Sequence, residues 1–107
     1  MSNIDLVKDF LRAQNLEQLG RVDEAIDLYE AVIGETFDSS GPYDRLIALY
    51  ADAARHRDVV RVAEAAIANV LTYPDKQAWY ERMRSDAMKA QTQVPRAVPK
   101  GDAGRQA

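Results

Sequence analysis

The chain contains a single histidine, His56, which the sequence places in a turn between two arginines. A metal site needs several His, Cys or carboxylate ligands that converge on one point. A nucleophilic serine needs a base held within hydrogen-bonding reach. No such set accompanies His56 in the sequence. The sequence therefore predicts neither a metal site nor a catalytic histidine.

Carboxylates occur in pairs at helical spacing after Gly20, as Asp23 with Asp27 and Glu24 with Asp27. They lie on the predicted solvent face of a helix rather than in a cleft, so general acid–base catalysis is not expected. The segment 39–42 lacks the glycine spacing and the lysine of a phosphate-binding loop. We expect a protein that is not an enzyme and that holds no cofactor.

Charge is distributed unevenly along the chain. Residues 1–44 carry ten acids and three bases, a net of −7, whereas residues 45–107 carry seven acids and eleven bases, a net of +4. Such a dipole can orient a partner or a second copy of the chain, although acids clustered on solvated faces would give the same count. Arginines gather near residues 55–61 and on 82–84, but the pI is about 5.1. Nucleic-acid binding is therefore not favoured.

Cysteine is absent, so the sequence contains no disulfide and no thiol nucleophile. No apolar run approaches the roughly 18 residues of a membrane-spanning helix. The first five residues include an acid and lack the basic region of a signal peptide. With 107 residues, we expect one domain, in the cytoplasm and without membrane contact.

Apolar periodicity predicts an all-α chain with five helices, over about 3–19, 21–34, 42–55, 58–71 and 75–92. Gly20 is a natural end for the first helix, and Pro42 and Pro74 suit the first turns of the third and fifth. Short connections predict antiparallel neighbours. The periodicity fails after the fifth helix, which predicts a helical domain over 1–92 and a flexible tail over 93–107.

The expected core follows from the same periodicity. On the first helix a broad apolar face contains Ile4, Leu6, Val7, Phe10, Leu11, Ala13 and Leu16. Four aromatic residues recur at core spacing and are expected to pack: Tyr29, Tyr43, Tyr50 and Trp79. Tyr73 and Tyr80 fall off these stripes and are expected to be partly exposed. On the fifth helix the expected stripe is Trp79, Met83, Ala87 and Ala90.

The first two helices resemble one tetratricopeptide repeat, a helix–turn–helix unit of about 34 residues. The resemblance rests on a small residue at the helix crossing, a glycine turn and a small–aromatic pair: Ala13, Leu16, Gly20, Ala25 and Tyr29. A second unit spans about 40–74, with its turn at 55–58. Its second helix aligns Val62, Ala66 and Asn69, and Pro74 ends it. Residues 75–92 resemble a further first helix that caps the array.

The resemblance implies a short right-handed solenoid of stacked hairpins, whose first helices line a concave groove. Groove positions lie one residue past the core stripe. They are Phe10, Gln14 and Glu17 on the first helix, Asp44, Ala48, Ala51 and Arg55 on the third, and Tyr80 and Arg84 on the fifth. Repeats of this family that grip chaperone tails present lysine and asparagine there. Acid, amide and alanine instead favour a basic or mixed-charge peptide or helix.

The implied function is that of a non-catalytic adaptor or scaffold that binds a segment of a protein partner. An alternative is a structural protein that associates with itself. Because two repeats make a short array, apolar surface on the terminal helices can be covered by another copy. The sequence leaves these two hypotheses open.

Overall fold

The computed structural model of the protein describes residues 3–71 and 74–93. The regular structure of these residues consists of five helices and no strand, which confirms the predicted all-α class. The helices are α1 (Asn3–Gln18), α2 (Val22–Ile33), α3 (Ser40–Asp52), α4 (His56–Asn69) and α5 (Pro74–Gln93). Their ends lie within three residues of the predicted ones. Apart from Gln93, the predicted tail lies outside the described residues, as does Tyr73.

Each helix packs mainly against the next one along the chain, from α1 against α2 to α4 against α5. Three residues separate α1 from α2, and a connection this short is typical of antiparallel neighbours that reverse direction. Side-chain contacts agree with this reversal. The ring centroids of Phe10 and Tyr29 are 6.0 Å apart, and further from the turn Leu6 packs with Val32. The first hairpin is therefore antiparallel, as predicted.

The turn between α1 and α2 is closed by Gly20, which has a φ of 79°. The N–H of Arg21 donates to the carbonyl of Leu16 at 2.9 Å, and the N–H of Gly20 donates to the carbonyl of Glu17 at 3.0 Å. This is the Schellman arrangement, in which a left-handed residue ends a helix and satisfies its last carbonyls. The predicted stop at Gly20 is confirmed.

The turn between α3 and α4 repeats this arrangement without a glycine. Ala54, at its centre, has a φ of 57°. The N–H of Arg55 donates to the carbonyl of Tyr50 at 2.8 Å, and the N–H of Ala54 donates to the carbonyl of Ala51 at 3.0 Å. In each hairpin the second helix begins two positions after the residue of positive φ. The two hairpins therefore carry the same turn.

The spacing of the two turns equals the length of one tetratricopeptide repeat. Ala54 follows Gly20 by about 34 residues, the period of that repeat, and we call this spacing the repeat interval. The α2 residues Ala25, Tyr29 and Val32 are fully buried, and the residues one repeat interval later are buried as well: Val59, Ala63 and Ala66. Burial therefore follows the same interval as the turns.

The turn of the second hairpin lies earlier than predicted, at 53–55 rather than at 55–58. One repeat interval after Ala25, Tyr29 and Val32 come Val59, Ala63 and Ala66, three residues before the predicted Val62, Ala66 and Asn69. Alanine carries no turn signal in the sequence, which is why the second turn was misplaced.

The core is built on tyrosines together with aliphatic residues of α2, α3 and α4. Tyr29, Tyr43 and Tyr50 are buried as predicted. Tyr80 was expected to be partly exposed, and that prediction was wrong, because its side chain has 0% exposure. Trp79 is only partly buried and packs against the edge of the core. Tyr80 and Ala87 are seven residues apart, so they share one face of α5, and that face meets the core.

The apolar face of α1 is buried over a narrower strip than predicted. Leu6 and Ala13 are buried, but Ile4, Val7 and Leu11 remain 69%, 44% and 51% exposed. The buried and exposed residues lie on different sides of the helix, since α1 packs mainly against α2 alone. The sequence pattern showed an apolar helix but did not show which side would face its neighbour.

Candidate functional site

Two open cavities are lined by the helices expected to form the groove. The first, of about 260 Å³, lies between α1 and α3 and is polar; its lining residues are Gln14, Glu17, Gln18 and Arg45. The second, of about 210 Å³, lies where the end of α3 and the start of α4 meet the second half of α5. Its lining is largely apolar: Ala51, His56, Val59, Met83, Asp86, Ala87 and Ala90.

In the polar cavity Glu17 is held by residues of two other helices. Its carboxylate accepts a hydrogen bond from the Tyr29 hydroxyl at 2.8 Å and another from Nε of Arg45 at 3.1 Å. The hydrogen bond from Arg45 is the main cause that lowers the pKa of Glu17. Burial, and then the bond to Glu17, raise the pKa of the Tyr29 hydroxyl. Glu17 is thus a charged residue that joins α1, α2 and α3.

The same combination of tyrosine, carboxylate and cation occurs twice more. On α2, Glu30 accepts the Tyr50 hydroxyl and binds Arg61 of α4 through Nη1 at 3.0 Å. On α3, Asp44 accepts the Tyr80 hydroxyl at 2.8 Å. We call these three groups the tyrosine clusters: Tyr29–Glu17–Arg45, Tyr50–Glu30–Arg61 and Tyr80–Asp44–Lys76.

The third tyrosine cluster is completed by Lys76, whose Nζ lies 2.7 Å from the Asp44 carboxylate. The same ammonium lies 4.4 Å from the centre of the Trp79 ring. Burial raises the pKa of Tyr80, and the hydrogen bond to Asp44 adds to that shift. Each cluster therefore gives a buried tyrosine hydroxyl an acceptor and gives that acceptor a cation.

Two predicted groove residues of opposite charge are bound within the chain. Asp44 is part of the third tyrosine cluster, together with Tyr80, which was also predicted to line the groove. Arg84 pairs with Glu64 of α4 at 2.8 Å and lines neither cavity. These contacts hold helices together, so charge selection of a ligand by Asp44 and Arg84 has little support in the geometry.

Arg55 is likewise engaged in contacts inside the chain. Its guanidinium lies 4.6 Å from the centre of the Tyr50 ring. It also pairs with Asp58 at 2.8 Å. Arg55 therefore supports the turn between α3 and α4 rather than either cavity.

Phe10 also has a packing role. A Cβ atom built on Gly41 would lie 2.5 Å from Cζ of the Phe10 ring, so the glycine is what lets the start of α3 approach α1 this closely. The ring is half-buried and tilts against Tyr29. Phe10 of α1 therefore packs against both α2 and α3.

The remaining predicted residues are brought to the cavities. Gln14 and Glu17 share the polar cavity, and Ala51 lines the apolar one. Ala48 is half-buried. It lies on α3 between Arg45, which reaches the first cavity, and Ala51, which reaches the second, because residues three apart are neighbours on a helix surface. Residues of α3 thus reach two cavities of different chemistry.

The apolar cavity includes residues that sequence reasoning assigned elsewhere. Met83, Ala87 and Ala90 follow each other at helical spacing and were predicted as core, but only Ala87 is buried. His56 was predicted in a turn and is instead the first residue of α4, half-buried at the cavity rim. The sequence showed a stripe of small and flexible apolar residues on α5. It did not show that part of this stripe lines an open cavity and is not fully buried.

The described residues contain no group of three or more His, Cys, Asp or Glu side chains able to hold a metal ion. Among the helices described here, none is long and apolar enough to cross a membrane. No protein-family model matches the chain, and neither a curated protein nor a solved structure matches it.

Proposed function

We propose that this chain is a short helical-repeat adaptor, built like two tetratricopeptide repeats and a capping helix, that binds a segment of a partner protein across α1, α3 and α5. The repeated Schellman turn supports this proposal. Gly20 and Ala54 lie one repeat interval apart and have the same positive-φ geometry. The start of α5, at Pro74, follows the start of α3, at Ser40, by the same interval. Such a period is that of this repeat class.

The observation that carries the binding proposal is the apolar cavity between α3 and α5. Its volume of about 210 Å³ lies below the roughly 300–1,000 Å³ of small-molecule and cofactor sites. Ala51, Ala87 and Ala90 contribute only short side chains to the walls of the cavity. Met83 is a flexible side chain that adapts to different ligands. A cavity of this size and lining suits an aliphatic side chain that anchors a peptide or a helix.

The surroundings of the cavity indicate the chemistry of that segment. Asp86 lines the apolar cavity, and Asp52 is exposed at the adjacent end of α3. Gln14 and Gln18 in the polar cavity supply amides that can both donate and accept hydrogen bonds. We therefore propose a partner segment with an aliphatic anchor and a neighbouring basic residue, continuing across α3 over the two glutamines.

Selection from a random-peptide display library tests this function through the chemistry of the bound segment. Enriched peptides should contain an aliphatic residue beside Lys or Arg. Their affinity for Ala51→Glu, which places a charge in the apolar cavity, should fall at least about tenfold, a loss of roughly 1.4 kcal/mol. Isothermal titration calorimetry with one enriched peptide measures this loss.

Ala53→Glu is the matched control, because Ala53 is exposed at the same helix end but does not line the cavity. It should bind the peptide as the unchanged protein does. If the library yields no enriched sequence, or if both variants bind equally well, the proposed groove function is wrong. Asp44 and Arg84 are poor choices for such a test, because their substitution would break contacts inside the chain.

A further inference from the structure

The sequence that follows α5 repeats a short motif of an aliphatic residue, a proline and a base. It lies outside the described residues and begins Val-Pro-Arg-Ala-Val-Pro-Lys. We call residues 94–96 the proximal motif and residues 98–100 the distal motif. Each places a valine two residues before a cation, which is the chemistry of the proposed partner segment. The chain therefore contains, in its own sequence, two candidate ligands for the apolar cavity.

The second half of α5 leads from the apolar cavity directly to these motifs. Met83, Ala87 and Ala90 line the cavity, and α5 ends three residues after Ala90, at Gln93. Because a helix rises about 1.5 Å per residue, Ala87 lies about 9 Å back from Gln93 along the axis. A segment that follows α5 must therefore return over about this distance to reach the part of the cavity beside Ala87.

The length of chain between α5 and each motif decides which motif can make this return. An extended chain spans at most about 3.3–3.6 Å per residue. Val94 directly follows Gln93, so the proximal motif is too close to the end of α5 to bring its valine back to Ala87. Val98 comes five residues after Gln93 and can lie up to about 17 Å from it. The distal motif therefore has the length that the cavity requires.

The proline of the distal motif favours docking in an extended conformation. A proline fixes its own φ and moves the residue before it into the extended region. Val98 precedes Pro99, so its backbone has few conformations to lose when the valine is bound. Pro99 also lacks an N–H, which means that it places no unsatisfied donor against the largely apolar lining.

Two carboxylates beside the cavity suit the cation of the distal motif. Asp86 lines the cavity, and Asp52 is exposed at the adjacent end of α3. Neither pairs with a cation in the described part of the chain, whereas the carboxylates of the three tyrosine clusters do. Lys100 follows Val98 by two residues, at most about 7 Å of chain. With Val98 in the cavity, the Lys100 ammonium can therefore reach these carboxylates.

We propose that the distal motif occupies the apolar cavity, with Val98 as its anchor, and thereby competes with the partner segment. The competition rests on the proposed groove function, whereas the docking of the motif does not. Because a few residues connect the motif to α5, its effective concentration at the cavity is of the order of 1 mM. A motif with an intrinsic dissociation constant of about 0.5 mM then fills the cavity in about two thirds of the molecules.

Disulfide trapping in the full chain tests the docking without any partner. The chain has no cysteine, so only an introduced pair can form a disulfide within one chain. Ala51→Cys combined with Val98→Cys should close under oxidised glutathione at least about fivefold faster than Ala53→Cys combined with Val98→Cys, because a disulfide needs Cα atoms about 4.4–6.8 Å apart. Ala53 is exposed at the same helix end but does not line the cavity. Equal rates for the two pairs would overturn the docking.

The affinity for one of the enriched library peptides, measured by isothermal titration calorimetry, tests the competition. Val98→Asp removes the competing anchor and should raise the affinity of the full chain at least about threefold, as expected from two-thirds occupancy. Val94→Asp is the matched control, because it makes the same change of charge in the proximal motif. It should bind the peptide as the unchanged protein does.

The two measurements separate this inference from the groove function. Equal affinities of the Val98→Asp and Val94→Asp variants would overturn the competition while the groove function stands. If no peptide binds the unchanged protein or either variant, the groove function and the competition both fail. The disulfide rates decide the docking of the distal motif in either case, because they involve no peptide.

Discussion

Each buried tyrosine hydroxyl described in this protein donates a hydrogen bond to an acceptor that the packing of the helices brings within reach. Tyr29, Tyr50 and Tyr80 donate to carboxylates that are themselves bound to cations. Tyr43 donates to the backbone carbonyl of Phe37 at 2.5 Å. A buried hydroxyl without a partner would cost about 1–3 kcal/mol. The tyrosine clusters therefore let this small domain bury large aromatic residues without that penalty.

Two substitutions at Tyr29 separate the ring from its hydroxyl. Tyr29→Ala removes a fully buried ring from contact with Phe10 and the core, and we expect a loss of about 3–5 kcal/mol. Tyr29→Phe keeps the ring and removes the hydrogen bond to Glu17, which retains Arg45, so the loss should be about 1 kcal/mol. Urea unfolding followed by circular dichroism measures both losses. Equal losses for the two variants would contradict the described core position of the ring.

Among the helices and their connections, the two hairpins share a turn geometry but not a turn residue. A positive φ costs a residue with a side chain roughly 1–2 kcal/mol relative to glycine. Gly20 adopts it without that cost, whereas Ala54 bears it. A Cβ at position 20 would meet no atom within 4 Å. A side chain at position 20 would therefore cost backbone conformational energy but no steric clash.

Reciprocal substitutions should shift stability in opposite directions. We expect Gly20→Ala to lower the free energy of unfolding by about 1–2 kcal/mol. We expect Ala54→Gly to raise it by a smaller amount, up to about 1 kcal/mol, because glycine also increases the entropy of the unfolded chain. Thermal unfolding of both variants measures the two effects. Two changes of the same sign would show that the turns are not equivalent.

Across the molecule, each helix packs mainly against its neighbours along the chain, and polar contacts connect helices beyond these pairs. The strongest packing is between consecutive helices. Glu17 of α1 nevertheless binds Tyr29 of α2 and Arg45 of α3. In the same way Glu30 of α2 binds residues of α3 and α4. Each of these carboxylates therefore couples three helices.

Stability should therefore depend on pH through Glu17. Its pKa in the folded protein lies below the ordinary value of 4.5. The unfolded chain consequently binds the proton more tightly. The contribution of Glu17 to stability is complete above pH 4.5 and is lost as the pH falls through the folded pKa.

Urea unfolding at a series of pH values from about 7 to about 3 measures this dependence. Glu17→Gln should be less stable at pH 7 and should lose less stability on acidification than the unchanged protein does. Arg45→Met, which removes the main cause of the lowered pKa, should flatten the profile in the same way. If both variants lose as much stability as the unchanged protein, Glu17 is not a source of the acid sensitivity.

Apolar periodicity was enough to predict the number, type and approximate ends of the helices. Residues that recur every three or four positions share a helix face, and this local rule needs no knowledge of the rest of the fold. The turn at Gly20 was also readable, since glycine accepts a positive φ that other residues resist. The turn at Ala54 was not readable, because only the packing of α3 against α4 stabilises an alanine there.

Tertiary packing was needed to show which part of each apolar face became core and which polar residues remained accessible. Periodicity selected Trp79 rather than Tyr80 for the core, and the structure buries Tyr80 instead. The faces of adjacent residues differ by about 100°, and the approach of α3 and α4 selects the face that carries Tyr80. Asp44 and Arg84 were predicted to line the groove. In the structure Asp44 binds Tyr80 and Lys76, and Arg84 pairs with Glu64, contacts that depend on the packing of the helices. Ile4, Val7 and Leu11 were predicted as core and are exposed, since burial depends on whether a neighbouring helix is present as well as on hydrophobicity.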